Sequence, residues 1–291
     1  MGLRRALLPG MTGAPSPSSY PDSSISPGAA LWVKILTSVS EKDMFGGREA
    51  MFDFATFKMS EMIECGSMIR QLGSGVHCME GAAGRIVRYL YDHFGDRRTG
   101  ARACALVRLY KTCPYGGLDD ELKPFARSLF GGVEASPETK CLTLLATAGD
   151  KPEWNSRKTS VGHKAIPLPS ARVVSQAPMI SQLIVQFGLD IADVVKPEAT
   201  LMLELEQRTF NVFHVEEAAG SPFVPAQQDF VVPFGIKSVL GFGGMLPDGN
   251  LIAIIIFSKV RIPREKADMF KTLSLSAKLA VLPFADGTIF A

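Results

Sequence analysis

Gly235-Ile-Lys-Ser-Val-Leu-Gly-Phe-Gly-Gly-Met-Leu-Pro-Asp-Gly-Asn-Leu-Ile-Ala-Ile-Ile-Ile-Phe257 decides the fold class. Its first half carries strand-like apolar residues loosened by glycines. Pro247-Asp-Gly-Asn250 is turn chemistry: proline presets φ, and Asp-Gly tolerates positive φ. Leu251 to Phe257 is apolar at every position, so that strand is expected to be covered on both faces. Pro263 then opens a predicted helix running to about Leu282. Its Phe270, Leu273, Ala277 and Ala280 recur at helical spacing, which suits packing on a sheet and equally suits a dimer coil.

Upstream, residues 1–30 are rich in Pro, Ser and Gly and are expected to form a disordered tail. A helical extension is predicted over 31–78. Within it, residues 48–72 place Met51, Phe54, Met62, Ile63, Met68 and Ile69 at mostly helical spacing. Such a methionine stripe suits a core or dimer-contact face, and less commonly a plastic partner surface or metal box. Met79 to Phe94 is a second amphipathic helix, with Arg85, Arg88 and Asp92 opposite its apolar stripe. Ala101 to Thr112 reads as a strand with one exposed end, and Lys140 to Ala148 as another. Between them, Leu118 to Phe130 reads as a short helix with Asp119 and Asp120 in its first turn. A long polar passage spans 149–172, followed by a short helix over Pro178 to Leu189. Leu201 to Leu205 fits strand or helix, Phe210 to Val215 fits a strand, and Ala218 to Val231 fits loop and turn. Strands in succession with helices gathered at the two ends indicate an α+β fold with a mostly antiparallel sheet.

Composition narrows the function classes. The 291 residues are 46% apolar and 21% charged with a formal net charge of +2, which gives no electrostatic case for nucleic acid or an anionic membrane. The apolar run Leu251–Phe257 falls far short of the roughly 18 residues of a membrane span. Pro9, Gly10 and Gly13 break the stretch after Arg4 and Arg5 before it resembles a secretory signal, and the myristoylation pattern fails at position 6. Five cysteines at irregular spacing suggest reduced thiols in a cytoplasmic protein. The four histidines (77, 93, 163, 214) and these cysteines show no metal-ligand spacing, and no cofactor is specified. G-x-S-x-G, H-E-x-x-H and P-loop motifs are missing from the sequence, so no enzyme activity is expected. Gly241-Phe-Gly-Gly244 precedes a hairpin rather than a helix, unlike a dinucleotide fingerprint.

The segments Val107–Gly116, Cys141–Gly149, Gly162–Pro169, Phe210–Val215 and Pro233–Ser258, taken in order, resemble a GAF-type domain. They are similar to the sensory region at the front of bacterial multidomain signalling proteins such as hybrid histidine kinases. The resemblance covers roughly residues 79–284, leaving 285–291 as a C-terminal tail. It implies a small-molecule ligand, two-component signalling, and a homodimer or a signalling partner. No phospho-acceptor histidine box or ATP-binding glycine motif is found, so a stand-alone sensor and a fragment of a longer protein are both expected possibilities. The resemblance also implies a pocket roofed by the connections 149–172 and 216–234. The candidate ligand residues are Arg108, Lys111, Tyr115, Trp154, His163 and His214. Arg108 offers a planar fork for a carboxylate or phosphate. Trp154 suits loop anchoring as well as stacking on a ligand, and His214 suits a hydrogen-bonded sheet histidine. Two other readings stand beside the sensor. One is a ligand-free scaffold for dimerisation or docking. The other is a thiol reductase of the same fold using Cys104, Cys113 and Cys141.

Overall fold

Leu251–Phe257 lies at the centre of an antiparallel sheet, as its unbroken apolar character requires. The computed structural model describes residues 51–130, 136–197 and 210–291. The expected tail (1–30), the start of the helical extension and Leu201–Leu205 lie outside the described residues. Among those described, six strands pair antiparallel: β1 (Cys104–Pro114), β2 (Lys140–Gly149), β3 (Ala165–Pro167), β4 (Phe213–Val215), β5 (Ser238–Met245) and β6 (Leu251–Ser258). Their spatial order is β3-β2-β1-β6-β5-β4. The helices are α1 (Met59–Gln71), α2 (Met79–His93), α3 (Leu122–Leu129), α4 (Ala171–Ser175), α5 (Pro178–Gln186), α6 (Ile191–Val195), α7 (Arg264–Ala267) and α8 (Phe270–Val281). The fold is α+β, and these described residues belong to one compact unit.

The two faces of the sheet have different covers. On one, Ile252, Ile254 and Ile256 of β6, Val107 and Leu109 of β1 and Leu240 and Phe242 of β5 meet α1, α2 and α8. Phe270 of α8 is the hub of this face: it lies 5.3–6.0 Å, centroid to centroid, from Phe54, Phe57, Phe94 and Phe242. On the other face, Leu251, Ala253, Ile255 and Phe257 of β6 and Leu106 and Tyr110 of β1 meet α4, α5 and α6 and the loop leading into β5. Every residue of β6 is buried, with large side chains worth about 1.5–3 kcal/mol each. A bulge opposite Leu109 and Tyr110 gives β2 one extra residue. Leu142 and Leu144 therefore join the loop-covered face while Ala146 and Ala148 turn to the helices.

Several elements differ from the sequence reading. The helix expected over 48–72 begins only at Met59. Met51 and Phe54 precede it in a segment where Phe52 bridges Phe94, and the Asp53 carboxylate accepts from the Ala55 amide at 2.8 Å. That local side-chain bond competes with a helical turn. Ile63, expected on the buried stripe, is exposed. β1 has no exposed stretch before Pro114; Lys111, near the end expected to be exposed, is buried. The passage 149–172 contains β3 at the sheet edge, and 218–231 ends in a π-helical turn (Gln227–Val231). The last helix is divided at Asp268 and Met269, where i→i−3 bonds from Met269 to Lys266 and from Lys271 to Asp268 tighten the chain.

Candidate functional site

Period-two alternation along β1 places Leu106, Arg108 and Tyr110 on the loop-covered face. They form the floor of a cavity of about 330 Å³, joined there by Ile255 and Phe257 of β6. One wall comes from the passage after β2, with Trp154, His163 and Ile166. The roof comes from Met179 and Leu183 of α5 and from Val224 and Phe230 of the loop before β5. Both connections singled out in the sequence contribute, together with α5. The volume lies at the lower end of the roughly 300–1,000 Å³ typical of small-molecule sites.

Trp154 packs its ring 4.6 Å from Phe234 and 5.7 Å, edge-on, from Phe230, which in turn meets Phe257 at 4.9 Å. It anchors its loop and lines the cavity at once. Asn155 fixes that loop: its side-chain amide donates to the Gly149 and Lys151 carbonyls, and its Oδ1 accepts from the Gly149 amide. Gln227 does the same for the roof, donating to the Val224 and Ala218 carbonyls and accepting from the Gly220 amide. Arg157 bridges Glu80 and Asp119, which ties residues 156–160 to α2 and to the start of α3.

The polar character of the cavity is concentrated at Arg108. The residue is 7% exposed. Its Nη2 donates to Ser160 Oγ at 2.9 Å and its Nη1 to the Tyr110 hydroxyl at 3.2 Å. Its Nε is buried without a partner, and among the described residues no carboxylate is paired with it. Thr147, opposite Arg108 in the β1–β2 register, also holds a buried hydroxyl that has no partner among the described residues. His163 follows Gly162 with φ of +52°, a left-handed conformation that costs a non-glycine residue about 1–3 kcal/mol. Burial, and next the Arg108 charge, push its pKa below the usual histidine value. The imidazole is therefore neutral at pH 7.

Arg108, Trp154 and His163 thus meet in one cavity, and the other three candidates lie elsewhere. Lys111, 1% exposed, pairs with Asp248 at 2.8 Å across the β5–β6 turn. Tyr115 packs edge-on against Phe130 and accepts from Arg127 Nε at 3.3 Å. His214 sits on edge strand β4 with Nε2 at 2.9 Å from the Ile262 carbonyl oxygen. The sequence reading missed Tyr110, Ser160 and Phe230. Tyr110 follows from Arg108 by strand alternation, and Phe230 from its spacing of four to Phe234. Ser160 carries no local signal.

The thiols are set apart from this site. All five are free and buried, and none lines the cavity. Burial pushes Cys141 up to about 12 and raises Cys113 and Cys104 too, which disfavours the thiolate. Among the described residues, no group of three or more His, Cys, Asp and Glu side chains is placed to hold a metal ion. No described helix is long and apolar enough to cross a membrane. No protein-family model matches the chain, and no curated protein matches it.

Proposed function

We propose that the chain is a cytoplasmic, GAF-like sensory module that binds a small molecule in the cavity over β1 and β6 and acts without catalysis. The observation that carries this reading is the cavity itself, roofed by two long connections and floored by the central strands. Its floor strands present Arg108 and Ile255 to the cavity, and Val107, Leu109, Ile254 and Ile256 to the helices behind. A ligand that favours one arrangement of the floor would bias the helical layer by its difference in affinity. α1 and α8 pack together and keep apolar residues in solvent: Met59 and Ile63 on one, Leu275 and Leu279 on the other. These stripes support a second copy of the chain as the output partner, in a two-component signalling context. Thiol-dependent reduction draws no support, because the thiols are buried, disfavoured as thiolates and outside the cavity. A ligand-free scaffold leaves the cavity without a use.

Thermal denaturation against small-molecule panels and cell extract tests the reading. A ligand at a hundred times its Kd adds about 2.7 kcal/mol, which raises Tm by several degrees. Leu183→Trp fills the roof and should abolish the rise while leaving the fold intact. No rise with any sample, or an equal rise in the filled variant, would overturn it.

A further inference from the structure

The following rests on the cavity being a ligand site, and concerns what it takes. We infer that the ligand is a small monocarboxylic acid with an apolar body, its carboxylate seated on Arg108.

The charge balance gives the head group. Among the described residues Arg108 is the one cationic side chain lining the cavity, and the neutral His163 adds no second charge. A buried guanidinium without a counter-charge is unfavourable, and one carboxylate corrects this. A phosphate monoester carries about −1.5 to −2 at pH 7 and would leave a surplus negative charge. The donors fit as well. Of the five N–H groups of the guanidinium, two are used on the Ser160 and Tyr110 hydroxyls, and among the described residues Nε–H has no partner. Each of those hydroxyls accepts from Arg108 and retains its own proton to donate. A planar carboxylate matches such a fork.

The remaining walls give the body. Trp154, Phe230, Phe257, Met179 and Leu183 offer rings and a thioether and few hydrogen bonds. At about 30 Å³ for each water-sized group, 330 Å³ holds on the order of ten such groups. That accommodates an arylalkanoic or medium-chain alkanoic acid.

Matched pairs test the assignment by calorimetry at pH 7: octanoate with octanamide, 3-phenylpropanoate with its amide, and phenyl phosphate as a dianion. The acids should bind the native protein about tenfold to a hundredfold more tightly than their amides, and more tightly than phenyl phosphate. Arg108→Met should erase the preference for acid over amide, and Arg108→Lys should weaken it while keeping the charge. Amides that bind the native protein as tightly as the acids would overturn the head group and leave the cavity reading standing. Tighter phenyl phosphate would overturn it in favour of a dianion. No binding by any of the five overturns the ligand class, whereas the cavity reading fails only on the denaturation test, by no rise across the broad panel or by an equal rise in the filled variant. The native comparison needs no variant to fold.

Discussion

Arg108 and Lys111 sit three residues apart on one strand and were read alike in the sequence, yet their environments differ. Lys111 finds its counter-charge in Asp248, which the β5–β6 turn delivers and which no local pattern around Lys111 reveals. Arg108 finds only hydroxyls among the described residues. Residue type and strand position are legible in sequence; the partner that decides a role comes from a distant turn. The Lys111–Asp248 pair makes a stability prediction. Replacing Lys111 by Met strands a carboxylate and should cost about 3–5 kcal/mol in denaturant unfolding. Burial alone would raise the Asp248 pKa, but hydrogen bonds from Asn250 and Lys111 and the Lys111 charge outweigh it and hold it below the usual value. The unfolded carboxylate takes its proton near pH 4, before the folded one does. The pair's contribution is therefore complete above that pH and is lost as pH falls through the lower, folded value. Beside it, Lys140 donates to the Gly249 carbonyl, and burial lowers its pKa to about 8. Between about pH 8 and 10 the unfolded lysine binds more protons than the folded one, so this site should make stability rise with pH. Lys140→Met should flatten that rise in melts at stepped pH; an unchanged slope would assign it to another group.

Elements with a strong period were legible and short edge elements were not. β6 and α2 stand almost where their apolar patterns put them, because a continuous run and a helical stripe each admit one way of being covered. β3 has only three residues and ends on Pro167, so its pairing to β2 is fixed by the tertiary fold rather than by its composition. The helix before α2 was placed too early because Met51 and Phe54 fall at helical spacing while belonging to a non-helical segment whose Phe52, Phe54 and Phe57 join the phenylalanine cluster. The glycines that loosen the β5 pattern have their cause in the packing around that strand. A Cβ on Gly243, at φ of +158°, would collide with the Ile252 carbonyl oxygen, and one on Gly244 with the Phe210 ring. Gly243→Ala should therefore destabilise by about 1–3 kcal/mol or more, since the obstacle is the backbone of the central strand. Gly84→Ala, with open space around the new methyl in the middle of α2, should be stabilising by about 0.5–1 kcal/mol. Equal denaturation midpoints for the two variants would show that β6 yields to the intruding methyl.

At the scale of the molecule, the α+β order was legible and the cavity's exact lining was not. The cavity joins Trp154, Leu183 and Phe230, which come from three connections and meet only when the sheet brings them over β1 and β6. The helical face behind that floor poses the matching question of what covers its outer side. Leu275, Leu279 and Leu282 of the C-terminal region recur at four and three residues and are exposed, as are Met59 and Ile63 at a spacing of four on α1. Two apolar stripes on neighbouring helices suit a two-fold contact in which each copy presents the same surface. Light-scattering mass should then give a dimer that Leu275→Glu with Leu279→Glu converts to a monomer. Since both side chains are exposed, the monomer should keep its unfolding free energy to within roughly 0.5 kcal/mol per substitution, measured where the native protein is also monomeric. A native protein that stays monomeric at high concentration would remove the second copy as output partner. The cavity assignment would be unaffected, because its residues lie on the opposite face of the sheet.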